Sequence, residues 1–395
     1  MNLPKLDRLV PSYIKGFEAY IPSKPDPELK KLFGCKQLYR LNNNENPLGP
    51  PPAAQEMLHR FETHRAAIYP SGDSYYLRDK LAEKYKLHPD QILVGNGANE
   101  VITFAIKAFC EAGDNIITAD KTFAVYEWVA IFSGYEARLV PLKDFCFDDE
   151  GMLAQIDERT KILFICNPNN PTGTYWNQEK LCRFLDRIDG KQIVVVDEAY
   201  CEFVEKEDFP DGIALIERYP NLVVFRTFSK MYGLAGLRIG YLAGSLEVVN
   251  IMRRACVVYS VNTLAQETAL LALDDPEHIQ KTNTLVKKEK AYLYRELTRL
   301  GLPLVMHEGN FVMIKLPISD TLAYRKLMAR GVMVRSMTGF RYPNYIRITI
   351  AQHEAMEALI ESLRAIFKAS EETAKQFQHT AATRQEIRTH HLFCK

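Results

Sequence analysis

The sequence has almost no net charge, since lysine plus arginine (50) nearly cancels aspartate plus glutamate (49) over 395 residues. No global field is available to gather nucleic acid or an anionic membrane. No segment approaches the ~20 apolar residues of a membrane span. The N-terminal stretch MNLPKLDRLVPSYIKGF lacks the continuous apolar run of a signal peptide. The eight cysteines (Cys35, Cys110, Cys146, Cys166, Cys182, Cys201, Cys256 and Cys394) include no CxxC pair and no zinc-type spacing. Buried free thiols in a reducing compartment account for them, so a cytoplasmic location without a metal site is expected. Internal repeats and low-complexity tracts are also missing. What remains is small-molecule chemistry, and a chain of 395 residues, 47% hydrophobic, suffices for one large core and a smaller lobe.

Residues 1–45 are rich in proline and lysine with little periodicity, and they read as an arm lying on the smaller domain or on a partner chain. From 46 to 285, short β-branched runs alternate with helical patterns: QILVG (91–95), NIITA (115–119), KILFIC (161–166), QIVVV (192–196), LVVFR (222–226) and RIGYLAG (238–244). Most carry their apolar residues consecutively, which suits strands covered on both faces and predicts a mostly parallel α/β sheet. The stretch 276–301 has helical spacing and ends in glycine, so it predicts one long helix bridging two lobes. FVMIKL (311–316), VMVRS (332–336), YIRITI (345–350) and a helix near 353–368 then give a smaller α+β domain over 286–370. The polar tail 371–395 reads as a frayed or disordered end.

Four segments stand at the ends of buried runs. In RTFSKMYGLAGLRIGY (226–241), Lys230 follows a strand and a serine in a glycine-rich stretch. A lysine that works as a nucleophile is desolvated and lies near other cations, and Arg238 is a candidate neighbour. Arg238 also suits a phosphate, together with Thr227 and Ser229, because a guanidinium matches phosphate oxygens; a surface ion pair is its plainer role. In QIVVVDEAY (192–200), Asp197 closes an apolar strand, where a carboxylate needs a cationic partner. A protonated heterocycle nitrogen, an arginine or a helix cap would each serve. Tyr200 follows in the next turn, as a hydroxyl donor or an ordinary half-buried tyrosine. The doubled Asn-Pro of CNPNNPTG (166–173) forces a rigid turn at the carboxyl end of a strand, where ligands of open α/β sheets gather, and it presents Asn170. VGNGANEVI (94–102) passes from strand through glycines into a helix, so Ala98 and Asn99 offer amides to an anion. It lacks the third glycine of a dinucleotide fingerprint, which argues against a nicotinamide enzyme.

An electron-sink cofactor such as pyridoxal phosphate (PLP) asks a protein for an amine to hold its aldehyde, an acid at the pyridine nitrogen, donors at the ring hydroxyl and a phosphate cup. Each has a candidate here. Taken together, NPNNPTG, DEAY, TFSK and GLAGLRIGY, in this order, resemble the class I/II, fold-type I PLP-dependent aminotransferases. The likeness extends through LNNNENPLGPPP (41–52), YPSGDSYYLRDKLAEKY (69–85), SVNTLAQ (260–266), EGNF (308–311) and VRSMTGF…YIRIT (334–349), covers about residues 10–368, and is most like the histidinol-phosphate group.

That resemblance implies an aspartate-aminotransferase-like α/β fold, with a large PLP-binding domain and a smaller α+β domain. It implies that Lys230 carries the cofactor and shuttles the proton, that Asp197 pairs with the pyridine nitrogen, and that Asn170 and Tyr200 hold the ring hydroxyl. Phe123, in DKTFAVY, takes the place of a stacking aromatic that is more commonly tyrosine. Ala98, Asn99, Thr227, Ser229 and Arg238 would hold the phosphate, joined by Tyr69 from the second subunit of a homodimer. Tyr20, Asn46, Arg335 and Arg347 would meet the substrates, an amino donor and a 2-oxo acid, although AYIPSKP around Tyr20 departs from the usual PGKP spelling. The same cofactor residues serve transamination, decarboxylation, and elimination or cyclisation, so the resemblance leaves the reaction open among these. A PLP-binding regulator is a further reading, but no helix-turn-helix region or basic DNA-reading stretch accompanies it.

Overall fold

The apolar runs become strands where the sequence places them. A computed structural model describes residues 8–18, 24–305 and 307–368. Tyr20 and the tail 371–395 lie outside these residues. The strands are β1 (Tyr39–Leu41), β2 (Ile92–Gly95), β3 (Asn115–Ala119), β4 (Glu136–Val140), β5 (Thr160–Cys166), β6 (Ile193–Asp197), β7 (Leu222–Thr227), β8 (Gly240–Ala243), β9 (Phe311–Lys315), β10 (Val332–Ser336) and β11 (Tyr345–Thr349).

A seven-stranded sheet has the order β2-β8-β7-β6-β5-β3-β4. Strand β8 runs antiparallel to both β2 and β7, whereas β3, β4, β5, β6 and β7 pair in parallel. All strands except β8 therefore point their carboxyl ends to one edge. The segments singled out by sequence leave the sheet at that edge: Gly95–Asn99 after β2, Asn167–Asn170 after β5, Asp197 on β6, and Thr227–Lys230 at the end of β7. Val194, Val195 and Val196 are fully buried, as are Leu222, Val223, Val224 and Phe225, which is why these runs carry no polar alternation. β4 is absent from the predicted strands. Its sequence EARLV is half polar, and it lies at the outer edge of the sheet, where one side stays exposed.

The second sheet has four strands in the order β1-β10-β11-β9. β1 comes from the segment expected to be an arm, and it pairs in parallel with β10, Tyr39 opposite Val332. The long helix runs Pro276–Arg299: Asp275 caps it by accepting from the His278 amide at 2.8 Å, and Gly301, at φ +67, ends it. It is continuous across the expected boundary at 285/286, and its buried Val286, Leu293 and Leu297 join a core shared with β9, β10 and β11. Among the described residues, no helix is long and apolar enough to cross a membrane.

Candidate active site

Ala98, Asn99, Phe123, Asn170, Asp197, Tyr200, Thr227, Ser229, Lys230, Arg238, Arg335 and Arg347 line one cavity of about 320 Å³. It lies between the carboxyl edge of the large sheet and strands β10 and β11 of the small one. Residues more than a hundred positions apart thus share one surface.

Lys230 sits just beyond β7, in a turn where the Thr227 hydroxyl accepts from the Ser229 amide at 3.0 Å. Its Nζ donates to the Asn43 carbonyl at 2.8 Å. Desolvation, then the positive charges of Arg347 and more weakly Arg238, lower its pKa to about 7 against the opposing Glu45 and Asp197 carboxylates. A large share of the amine is therefore neutral and nucleophilic near neutral pH.

Asp197, 3% exposed, accepts from the Tyr126 hydroxyl at 2.6 Å and from the Ala199 amide at 3.1 Å. Burial pushes its pKa up, while Tyr126, the Ala199 amide and Lys230 favour the charged form. The Tyr200 hydroxyl accepts from Asn44 at 3.0 Å and from Asn170 at 3.4 Å, and burial raises its pKa to about 12. Asn170 in turn accepts from Arg347 at 2.5 Å. Arg347, Asn170, Tyr200 and Asn44 thus form one chain of hydrogen bonds along the cavity wall.

At the other end, Gly97 (φ +79) precedes the helix Ala98–Phe109, whose first amides meet no side-chain cap. A β-carbon on Gly97 would stand 2.3 Å from Nη2 of Arg238, so only glycine lets that guanidinium lie against the start of the helix. Arg238 is itself left-handed (φ +57), and its Nη1 donates to the Ala235 carbonyl at 2.9 Å. Helix amides, a guanidinium and the hydroxyls of Thr227 and Ser229 gather at this end of the cavity, a set of donors that would suit a phosphate dianion. The donor set fits PLP in each part: amine, buried acid, hydroxyl donors and phosphate cup.

Arg347 is 3% exposed and donates through Nη2 to the Asn42 carbonyl at 2.7 Å. Burial lowers its pKa to about 10, with Tyr200 opposing and Arg335 adding to the fall. Nε of Arg335 and Nε of Arg347 are both buried with no protein partner, which suits an anionic ligand.

One expectation turns out differently. Asn46 does not line the cavity: its amide donates to the Met231 carbonyl at 2.7 Å and to Thr282 at 3.1 Å, and its own carbonyl accepts from Leu48. Its side chain is held inside the fold, and Asn43 and Glu45 line the cavity instead. Tyr69 is 81% exposed, stacks on Tyr259 at 4.9 Å, and lies outside the cavity of its own chain. Tyr20 lies outside the described residues. Sequence reasoning also passed over Asn44 and Tyr126. The first is hidden in a run of three asparagines, and the second lies three residues after Phe123, whose ring it meets edge-on at 5.6 Å.

Comparison with known proteins agrees with this chemistry. Histidinol-phosphate aminotransferase of Moorella thermoacetica is 38% identical over 354 residues, 89% of this chain and 92% of that protein. The enzyme of the same name from Symbiobacterium thermophilum is 39% identical over 352 residues, 89% of this chain and 97% of that protein. The solved structure of histidinol-phosphate aminotransferase from Sinorhizobium meliloti in complex with pyridoxal-5'-phosphate has the same fold, with TM-score 0.80 and 24% identity, covering 90% of this chain and 97% of that one. The family model "Aminotransferase class I and II" matches residues 36–363. The chain belongs to the class I and II aminotransferases, PLP-dependent enzymes that move an amino group between an amino donor and a 2-oxo acid.

Proposed function

We propose that this enzyme transfers the amino group of histidinol phosphate to 2-oxoglutarate. The observation that carries the reading is the single cavity in which Lys230 and Asp197 face two arginines with unpaired Nε groups. The names of the relatives point to the same substrate.

When bound, PLP supplies an aldehyde for the substrate amine and a ring that withdraws electrons from the broken carbon–hydrogen bond. The rest falls to the protein. Lys230 would hold the aldehyde through Nζ, and its neutral amine would serve as the base for the substrate's α-proton and as the carrier of that proton. Asp197 would pair with the pyridine nitrogen and hold its proton. Tyr200 and Asn170 would hold the ring hydroxyl, and Phe123 would cover a face of the ring. Ala98, Asn99, Thr227, Ser229 and Arg238 would hold the phosphate. Arg335 and Arg347 grip the phosphate of one substrate and the carboxylates of the other, because both present oxyanions to a fork of N–H donors. That grip would orient the substrate, and orientation decides which of its bonds is broken.

The reading includes a homodimer in which Tyr69 completes the partner's phosphate cup. It also includes a cytoplasmic location, where the unpaired thiols stay reduced. Purified protein with PLP, histidinol phosphate and 2-oxoglutarate should release glutamate. Carbon dioxide release, or a cyclised product formed without need of a 2-oxo acid, would overturn the assignment.

A further inference from the structure

We infer that Tyr126 is a positioning residue that keeps Asp197 charged and aimed, and through it keeps the proton on the cofactor's ring nitrogen. The inference rests on the proposal that Asp197 faces that nitrogen.

A carboxylate at the end of a buried strand neutralises unless hydrogen bonds or a counter-charge offset its desolvation. Asp197 is 3% exposed, and two donors meet its oxygens: the Tyr126 hydroxyl on Oδ2 at 2.6 Å and the Ala199 amide on Oδ1 at 3.1 Å. Lys230 is the cation that acts on it, but that amine is occupied by the aldehyde when cofactor is present. The Tyr126 bond has the length of a charge-assisted O–H···O⁻ contact, the stronger kind.

The donor is held in place and kept protonated. Tyr126 is fully buried on the helix Val125–Phe132, and its ring stacks on Phe164 at 4.8 Å with an interplanar angle of 13°. Phe123 meets it edge-on at 5.6 Å. Burial and the charge of Asp197 raise the phenol's pKa well above its ordinary value, so it remains a donor at working pH. One side chain therefore braces both the aromatic proposed for the ring's face and the acid proposed for its nitrogen. Neither contact touches substrate, so its effect should fall on turnover rather than on substrate affinity.

The test uses full-length protein loaded with PLP carrying ¹⁵N in the ring, whose chemical shift reports protonation of that nitrogen. In the unaltered protein the nitrogen should be protonated near neutral pH; an unprotonated nitrogen there would overturn the placement of Asp197 itself. Tyr126→Phe removes one oxygen and keeps both ring contacts. It should move the ¹⁵N signal toward the neutral form and lower kcat about tenfold or more with KM nearly unchanged. Site-specific 3-fluorotyrosine at 126 keeps the donor and should leave the nitrogen protonated. A protonated nitrogen and undiminished kcat in Tyr126→Phe, or an equal loss in the fluorotyrosine protein, would refute the role of Tyr126 and leave the placement of Asp197 standing.

Discussion

Arg335 on β10 and Arg347 on β11 stand directly opposite each other in the antiparallel register, so two guanidinium groups leave the small sheet on the same face and enter the same cavity. Like charges so placed destabilise a strand pair, typically by about 0.2–1 kcal/mol. The arrangement makes physical sense when an anion lies between them. Arg335→Gln should therefore leave the ligand-free protein as stable as before or slightly more so, while raising KM for a phosphorylated amino donor about tenfold or more. Thermal melts with and without inorganic phosphate, together with steady-state kinetics, check both halves. A clear drop in ligand-free stability with unchanged KM would contradict the account.

The pKa of Lys230, lowered to about 7 by desolvation and the charges of Arg347 and Arg238, sets a pH dependence. Its amine is protonated and inert below that value and neutral above it. The rate at which the cofactor-free protein captures PLP should rise through about pH 7 and then level off. Arg347→Gln removes one of the charges that favour the neutral amine, so the midpoint should move to higher pH. A capture rate still climbing toward the ordinary lysine range in the unaltered protein would show that Lys230 is not desolvated.

Gly97 sits at φ +79 with Arg238 over the place a β-carbon would occupy. Gly97→Ala both strains the backbone and pushes the guanidinium away from the helix amides. Its dissociation constant for PLP should rise about tenfold or more, measured by fluorescence titration, while circular dichroism of the cofactor-free protein stays near that of the parent. Unchanged affinity would mean that the cup lies elsewhere.

Tyr69 and its stacking partner Tyr259 are both exposed on the described chain, away from the cavity. If Tyr69 serves the partner subunit, Tyr69→Ala and Lys230→Ala fail on different chains. Co-expressed, they should form mixed dimers with one intact site, recovering roughly a quarter of normal activity from two inactive parents. A mixture no more active than its parents would place Tyr69 outside the catalytic unit.

Much of this arrangement was legible in the sequence, because its signals are local. Runs such as IVVV and LVVF announce strands buried on both faces, and Asp197 and Lys230 stand at their carboxyl ends, where the fold gathers ligands. Positions decided by side-chain direction were not legible. Asn44 and Asn46 have the same chemistry, yet Asn44, at φ +57, turns its amide to Tyr200 while Asn46 turns inward to Met231 and Thr282. Glu198, beside Asp197 in DEAY, is fully buried and pairs with Arg226 at 2.7 Å, tying β6 to the segment that carries Lys230. Nothing in its spacing separates that structural role from the chemical one of its neighbour. The pairing of β1 with β10 is equally hidden, since three residues, YRL, carry no period.

A covalent bond between one lysine and the cofactor is tested by reducing the PLP-loaded protein with borohydride and locating the fixed label by peptide mass spectrometry. The label should lie on Lys230, and Lys230→Ala should show neither label nor turnover. A label fixed on another lysine of the unaltered protein, or turnover by the Lys230→Ala protein, would contradict the account.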